Sequence, residues 1–252
     1  MTHAPALPAS FLDQPLAHRA LHDASCAENS MAAVKAAVAA GYGIEIDIQG
    51  SADGVPMVFH DYDLGRLTGQ SGPIARRSAA ELGEVALLGG GGTIPTLAQV
   101  LAQVNGAVPL LIEIKDQDGA LGPNVGLLQE AVCEALDGYE GDVALMSFNP
   151  HAVAACQTHA PHLPRGLTTC PYPADDWPTV PERVRAVLRE IPDFDRVGAS
   201  FISHQQDDLT AAPVTALKSR GVPILCWTVR SAGVEAEART VADNITFEGY
   251  RA

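Results

Sequence analysis

The sequence predicts an α/β fold in which eight parallel strands and their helices form a closed (β/α)8 barrel, with a small insertion after a β-hairpin that extends the second strand. Two observations support this fold class. The chain has 252 residues, 47% of them hydrophobic, which is enough for one barrel with a large core. From about residue 15 onward, short apolar β-rich runs alternate with helical patterns, which is typical of repeated βα units.

Nine segments have the composition of strands, one more than a barrel of eight strands needs. The surplus is explained at Asp53-Gly54, a dipeptide that strongly favours a two-residue hairpin turn. A type I′ turn there predicts that Asp47 lies opposite His60, so the strand that ends at His60 is an antiparallel arm outside the barrel. The nine candidate segments are 15–19, 44–48, 56–60, 110–115, 143–148, 165–169, 198–203, 224–229 and 243–247.

Helix boundary signals lie between the strand candidates. Asn29 or Ser30 can cap the first long helix, and Gly41 can end it in a left-handed turn. Residues 49–95 are rich in polar residues and glycine, and we predict that they form an insertion within a single domain of residues 1–252. Further helices are expected to follow Ser78, Thr96 and Pro123.

The composition argues against several classes of protein. A net charge of −14 repels polyanions, so we expect neither nucleic acid as a partner nor stable association with a membrane. The five cysteines form no C-x-x-C pair, which argues against a disulfide framework and against a zinc site. The N-terminal stretch has no basic start and no sustained apolar run, so we predict no signal peptide and a cytoplasmic location. The oligomeric state is left open.

Three acidic residues lie in strand candidates that are otherwise apolar. Glu45 and Asp47 leave the same face of one strand about 7 Å apart, and Glu113 lies in another such strand. A buried carboxylate is costly unless it is protonated, paired or bound to a metal. Oxygen ligands without a nearby cysteine favour Mg²⁺ or Ca²⁺. The alternative is that these acids form ion pairs with Arg19 and Lys115.

Two histidines end strand candidates that lead toward these acids. His18 ends the first candidate and His60 ends the hairpin arm. Because two imidazoles on opposite sides of a reacting centre can remove one proton and deliver another, we predict that both are catalytic. Arg19 and Lys115 supply local positive charge for an anionic substrate, and arginine suits bidentate phosphate binding. Trp227 is either a core residue or an apolar surface for a small polyol.

A series of short motifs runs through the chain from about Leu16 to Tyr250. In order and spacing these motifs resemble the glycerophosphodiester phosphodiesterase family, whose pattern is H-R-G, E-N-T, E-x-D, D-G-x-x-V-x-H-D, I-P-T-L and E-I-K. The corresponding stretches here are "AHRA", "ENS", "IEIDI", "DGVPMVFHD", "IPTLAQVL" and "IEIK", followed by "MSFNP", "CWTV" and "ADNITFEGY".

The resemblance implies a fold and an activity. The fold is a TIM barrel with a small insertion. The activity is that of a phosphoric diester hydrolase, which cleaves glycerophosphodiesters to glycerol 3-phosphate and an alcohol with the help of a divalent metal ion. The residues that the resemblance implies are Glu45, Asp47 and Glu113 for the metal, His18 and His60 for acid and base, and Arg19 and Lys115 for the phosphoryl oxygens.

Two departures from the family pattern stand out. Ala20 replaces the glycine that follows His-Arg, and at positive φ an alanine costs about 1 kcal/mol. Phe247 and Glu248 stand where many members have an aspartate after the threonine of the last strand. Two other functions are kept as alternatives. One is a phospholipase-type phosphodiesterase acting on lysophospholipids or phosphoinositides, and the other is a noncatalytic phosphodiester sensor.

Overall fold

The computed structural model describes residues 5–252 and has nine strands in that range. Residues 1–4 of the predicted domain lie outside the described residues. The strands are β1 (Leu16–Ala17), β2 (Gly43–Gly50), β3 (Pro56–Val58), β4 (Leu110–Ile114), β5 (Val143–Ser147), β6 (Arg165–Thr169), β7 (Phe201–Gln205), β8 (Ile224–Val229) and β9 (Asn244–Phe247).

Eight of these strands form a closed parallel barrel. Its order is β1, β2, β4, β5, β6, β7, β8 and β9, and β1 pairs with both β2 and β9 to close the ring. β3 lies outside the ring and pairs antiparallel with β2. The predicted TIM barrel, with a hairpin arm that extends the second strand, is therefore confirmed.

Helices occupy most of the connections between the barrel strands. Ser30 caps α2 by accepting from the backbone N–H of Ala33, and Gly41 ends α2 with a φ of 74°. The helices in the described part of the chain are α1 (Ser10–Asp13), α2 (Met31–Ala40), α3 (Gly65–Thr68), α4 (Ala79–Gly83), α5 (Leu97–Val104), α6 (Leu128–Ala135), α7 (Pro150–His159), α8 (Glu182–Arg189), α9 (Ala212–Ser219) and α10 (Ala232–Ala238), with short 3₁₀ helices at Ile74–Arg76 and Gln206–Asp208.

The register of the hairpin differs from the prediction by one residue. Ile48 pairs with Val58 and not with Phe59. The turn at Asp53-Gly54 is not type I′, since Gly54 has a φ of 80° but Asp53 is not among the residues with positive φ. The loop instead has three residues between paired Ser51 and Val55, the form that a type I turn with a following glycine produces. His60 therefore does not lie opposite Asp47.

Only β6 and β8 have their predicted bounds, and the hairpin arm ends at Val58, two residues before His60. Two of the other differences have a reason in the backbone. β1 ends at Ala17 because Arg19 and Ala20 have φ values of 53° and 65°, which no strand accommodates. β7 begins only at Phe201 and continues to Gln205, and the predicted start, Gly198, has a φ of 56°. The departure from the family pattern at position 20 thus falls on a left-handed residue.

The helix expected after Pro123 begins only at Leu128. The intervening stretch is a loop because an aspartate side chain binds its backbone and one glycine is left-handed. Asp118 Oδ2 accepts from the backbone N–H of Asn124 at 3.3 Å, and Gly126 has a φ of 69°. Such local side-chain bonds compete with helix formation.

The core has two main parts. One lies between the barrel strands and the surrounding helices, where alternate residues such as Ile44, Ile46 and Ile48 point outward from β2. The other lies inside the segment predicted as an insertion and anchors the arm that carries His60. Its buried residues are Ala27, Met57, Phe59, Leu64, Leu67, Ile74, Leu82, Val85, Leu87 and Ile94.

None of the helices in residues 5–252 has both the length and the apolar composition needed to cross a bilayer.

Candidate active site

One cavity of about 660 Å³ opens at the carboxyl ends of the barrel strands. The outward direction of Ile44, Ile46 and Ile48 turns the intervening Glu45 and Asp47 of β2 into the barrel. All eight residues that the sequence indicated line this cavity. They are His18, Arg19, Glu45, Asp47, His60, Glu113, Lys115 and Trp227.

The three acids form one buried group. Parallel pairing of β2 with β4 sets Asp47 beside Glu113. One oxygen from each of Glu45, Asp47 and Glu113 lies within 4.8 Å of the other two. This separation suits oxygen ligands of a single hard cation.

Lys115 binds two of these three acids. Its Nζ lies 2.6 Å from Asp47 Oδ1 and 2.5 Å from Glu113 Oε1. Burial disfavours the ammonium, but the two carboxylates outweigh burial and hold the pKa of Lys115 above its usual range. The ion pairing that the sequence left as an alternative is therefore present at Asp47 and Glu113. Burial also disfavours ionised Asp47, but the charge of Lys115 keeps the pKa of this carboxyl low.

Glu45 has no basic side chain bound to it within residues 5–252. Its Oε2 accepts only the backbone N–H of Arg19, at 2.9 Å. Burial, together with the charges of Asp47 and Glu113, raises the pKa of Glu45 well above its usual value. A buried carboxylate with no basic side chain bound to it is what a bound cation neutralises, so the residues present fit a divalent metal ion.

Arg19 lies between the acid group and a second carboxylate. Its Nη1 is 2.7 Å from Glu28 Oε1, and its Nε is 3.5 Å from Asp47 Oδ2. Glu28 also binds Arg66, with Nη2 at 2.7 Å from the same Oε1. The left-handed backbone at Arg19 and Ala20 turns the Arg19 N–H toward Glu45 and its side chain toward the cavity.

The two histidines are held alike, each by a carboxylate at Nδ1. His18 Nδ1 lies 2.5 Å from Glu248 Oε2, and His60 Nδ1 lies 2.7 Å from Asp61 Oδ1. A carboxylate accepts, so a hydrogen is on Nδ1, and in the neutral form of the ring Nε2 keeps its lone pair. Burial lowers the pKa of His18, and the bond to Glu248 partly opposes this effect. Each ring can therefore present Nε2 to a bound substrate.

A model of the Glycerophosphoryl diester phosphodiesterase family matches residues 18–245. The chain belongs to this family. The match runs from His18, past both histidine-bearing loops and the acid group, into β9. The glycerophosphoryl diester phosphodiesterase motifs therefore extend over nearly the whole chain.

Curated relatives and solved structures agree with the family. A glycerophosphodiester phosphodiesterase of Caldanaerobacter subterraneus is 32% identical over 150 residues, which are 56% of this chain and 60% of that protein. An uncharacterised protein of Mycobacterium tuberculosis is 39% identical over 82 residues, which are 31% of this chain and 27% of that protein. The chain thus aligns with less than two thirds of the length of each of these relatives.

Two solved structures share the fold. A phosphodiesterase of Oleispira antarctica, in complex with the product sn-glycerol 3-phosphate, has a TM-score of 0.75 at 22% identity and covers 95% of this chain and 94% of its own. A glycerophosphodiester phosphodiesterase of Parabacteroides distasonis has a TM-score of 0.74 at 22% identity, with 93% and 92% covered. The barrel of this chain is the barrel of these enzymes.

Four polar residues of the site carried no predicted role. Asn29 donates to Asp47 Oδ2 at 2.8 Å, and Glu28, Asp61 and Glu248 bind Arg19, His60 and His18. Glu28 and Asn29 lie in the "ENS" motif, and Asp61 directly follows His60, so the motifs contained a signal for three of them. For Glu248 the motifs gave no positive signal, because the family's aspartate directly follows the threonine of the last strand and Glu248 lies one position later.

Proposed function

We propose that the chain hydrolyses glycerophosphodiesters to glycerol 3-phosphate and an alcohol. One observation carries this proposal: a single cavity contains both the acid group and two imidazoles that can each present Nε2. Within the acid group, Glu45 is buried and has no basic side chain bound to it. Membership of the family supports it, as does the presence of sn-glycerol 3-phosphate in the Oleispira antarctica enzyme of the same fold.

Glu45, Asp47 and Glu113 are the residues that would hold a divalent ion, Mg²⁺ or Ca²⁺, as their all-oxygen donor set favours. Such an ion, when bound, neutralises charge on a phosphoryl oxygen. Arg19 and Lys115 add positive charge beside the same position and orient the phosphodiester.

His18 and His60 share the proton transfers. One imidazole Nε2 takes the proton of the nucleophile, which is either water or a neighbouring hydroxyl of the glycerol. In the second case the cyclic phosphate that forms is then opened by water to give glycerol 3-phosphate. The other, protonated, gives its proton to the departing alkoxide. Glu248 and Asp61 fix each ring through Nδ1 and stabilise its charged form as it develops.

We also propose that residues 1–252 act as one phosphodiesterase barrel domain with its insertion at about 49–95. The apolar cluster of the inserted segment supports this, because it holds His60, Asp61 and Tyr62 against the cavity of the barrel. The cytoplasmic location and the absence of nucleic-acid and membrane partners stay predictions.

The test is release of glycerol 3-phosphate from glycerophosphocholine and from glycerophosphoglycerol, measured with and without EDTA. Activity lost on chelation and restored by Mg²⁺ or Ca²⁺ supports the proposal. Turnover that chelation leaves unchanged contradicts the metal dependence. Saturable binding of the diesters without turnover contradicts the enzymatic function and favours the sensor.

A further inference from the structure

The cavity has two chemically different halves. The acid group, its basic neighbours and both histidines come from β1, β2, β3 and β4 and the turns that follow them. The opposite half is built after β5, after β6 and on β8, and it is aromatic. Three rings form what we term the aromatic wall, namely Phe148, Trp177 and Trp227.

The aromatic wall is a packed unit with surface left facing the cavity. The ring centroid of Phe148 lies 4.8 Å from that of Trp177 and 5.5 Å from that of Trp227. All three side chains are only half-buried. Trp227 Nε1 donates to the backbone oxygen of Ser203 at 3.1 Å, so the polar atom of this indole is already used and the ring presents carbon surface.

The charge on this half is negative. Asp176 and Asp207 line the cavity beside the wall, and both are exposed. Neither forms an ion pair with a basic side chain in the part of the chain that the structure describes. Arg230, which follows β8, has its Nε bound to Glu248 Oε1 at 2.8 Å and so is held toward His18. Asp207 Oδ1 accepts from Gln205 Nε2 at 2.8 Å, so the wall is flanked by two carboxylates that have no basic partner among the described residues.

We propose that this half binds the alcohol part of the diester and that the preferred alcohol carries a quaternary ammonium group, as choline does. The inference rests on the proposed function, since it adds the identity of the alcohol. A trimethylammonium group has an apolar surface and a positive charge, and both are stabilised by ring surfaces and by nearby carboxylates. The rings offer a polyol such as glycerol or inositol no hydrogen-bond partner.

The orientation of the substrate follows from the two halves. The phosphoryl group binds at Arg19 and Lys115, the glycerol remains on the charged half, and the choline extends across the barrel mouth to Trp177 and Trp227. Cleavage then leaves glycerol phosphate on the charged half of the cavity and choline at the aromatic wall. The bond between phosphorus and the choline oxygen breaks, and the alkoxide takes its proton from the acidic histidine.

The sharpest test compares glycerophosphocholine with its 3,3-dimethylbutyl analogue, in which carbon replaces the charged nitrogen at almost the same size. Hydrophobic contact treats the two alike, whereas attraction by rings and carboxylates favours the cation. We expect kcat/KM for the choline ester to exceed that of the analogue by about ten-fold, mainly through KM. Equal kcat/KM values for the two esters would overturn the inference.

Trp177→Leu tests the wall itself. It keeps an apolar side chain but removes the ring, and we expect the ratio of the two kcat/KM values to fall toward one. The matched control is Tyr62→Leu, which removes an aromatic ring from the opposite rim of the cavity and is expected to leave the ratio unchanged. A wild-type ratio that persists in Trp177→Leu would contradict the assignment to the wall.

Hydrolysis of glycerophosphoglycerol distinguishes failure of the aromatic subsite from failure of the proposed function. Its hydrolysis, with no preference for the choline ester over the analogue, would leave the proposed function standing and reject the aromatic subsite. If no diester is hydrolysed, the function fails, and the subsite is then judged by tryptophan fluorescence. Saturable quenching by choline but not by 3,3-dimethylbutanol supports the subsite, and equal or absent quenching rejects it.

Discussion

At the scale of single residues, the proposed mechanism gives the acid group and the histidines different tasks, which substitutions can separate. Glu45 has no basic partner in the described residues, whereas Asp47 and Glu113 share Lys115. His60 has its carboxylate, Asp61, outside the acid group. In the proposed mechanism, loss of Glu45 is therefore expected to act first on cation binding, and loss of His60 first on proton transfer.

We expect Glu45→Gln to abolish turnover and to weaken binding of Mg²⁺ or Ca²⁺. His60→Ala is expected to lower kcat by at least about 100-fold while metal binding persists, because the imidazole acts on protons and not on the ion. Kinetics and calorimetric titration of the metal give the two readouts. Near-normal turnover in His60→Ala would contradict its role as acid or base.

Glu248→Gln is expected to shift the pH profile. Burial lowers the pKa of His18, and Glu248 raises it by favouring the imidazolium. Without that charge the pKa of His18 falls further, so the limb of the kcat/KM profile that belongs to His18 moves to lower pH. His22 and Arg230 also face Glu248, at 3.6 Å and 2.8 Å, and remain in the variant. An unmoved profile would show that Glu248 does not position His18.

At the scale of elements, the turn that begins the inserted segment depends on a side chain. Asp53 Oδ1 accepts from Ser51 Oγ at 2.6 Å and from the backbone N–H of Ala79 at 2.8 Å, which ties the hairpin to α4. In a type I′ turn Asp53 would have positive φ, and glycine would replace it at little cost. The observed turn gives that residue a different role.

We expect Asp53→Gly to lower the free energy of unfolding by about 1–2 kcal/mol, because two hydrogen bonds are lost. Urea denaturation followed by circular dichroism measures the change. Asp63→Gly is a positive comparison, because Asp63 accepts from the backbone N–H groups of Gly65 at 2.8 Å and Gly72 at 3.1 Å and should lose a similar free energy of unfolding. A neutral or stabilising effect of Asp53→Gly would favour the type I′ turn over the three-residue loop.

These elements also show how far sequence reasoning reaches. The alternation at Glu45 and Asp47 is local, so the face on which these carboxylates lie could be predicted from strand geometry alone. The hairpin register depended on the sign of the φ angle of Asp53, which the dipeptide Asp-Gly does not determine. The contact of His18 with Glu248 joins residues 230 positions apart, and only closure of the ring by β1 and β9 brings them together.

At the scale of the whole molecule, binding of the proposed metal ion is expected to raise the stability of the fold. Removal of the repulsion around Glu45 by a bound ion stabilises only the folded chain, because the three acids are far apart in an unfolded one. The net charge of −14 adds a general attraction for cations, which salt screens. Added salt should therefore weaken the general attraction for cations much more than binding at a specific site.

We expect Mg²⁺ or Ca²⁺ at about 100 times its Kd to raise Tm by roughly 5–10 °C, which corresponds to about 2.7 kcal/mol. EDTA reverses the shift, and Glu45→Gln removes it at constant ionic strength. Differential scanning calorimetry gives the measurement, with Glu182→Gln on exposed α8 as the matched control. A shift of the same size in Glu45→Gln would point to general screening instead of a site.

The ring is closed by its shortest strand, since β1 contributes only Leu16 and Ala17 to the pairing with β2 and β9. Past Ala17 the seam continues through single backbone bonds, from the N–H of His18 to Phe247 O at 2.8 Å and from the N–H of Ala20 to Glu45 O at 2.9 Å. We expect the barrel to open most readily at this seam, next to His18. Mild urea is therefore expected to silence catalysis while circular dichroism still reports a folded protein, so the enzyme would lose its chemistry before its shape.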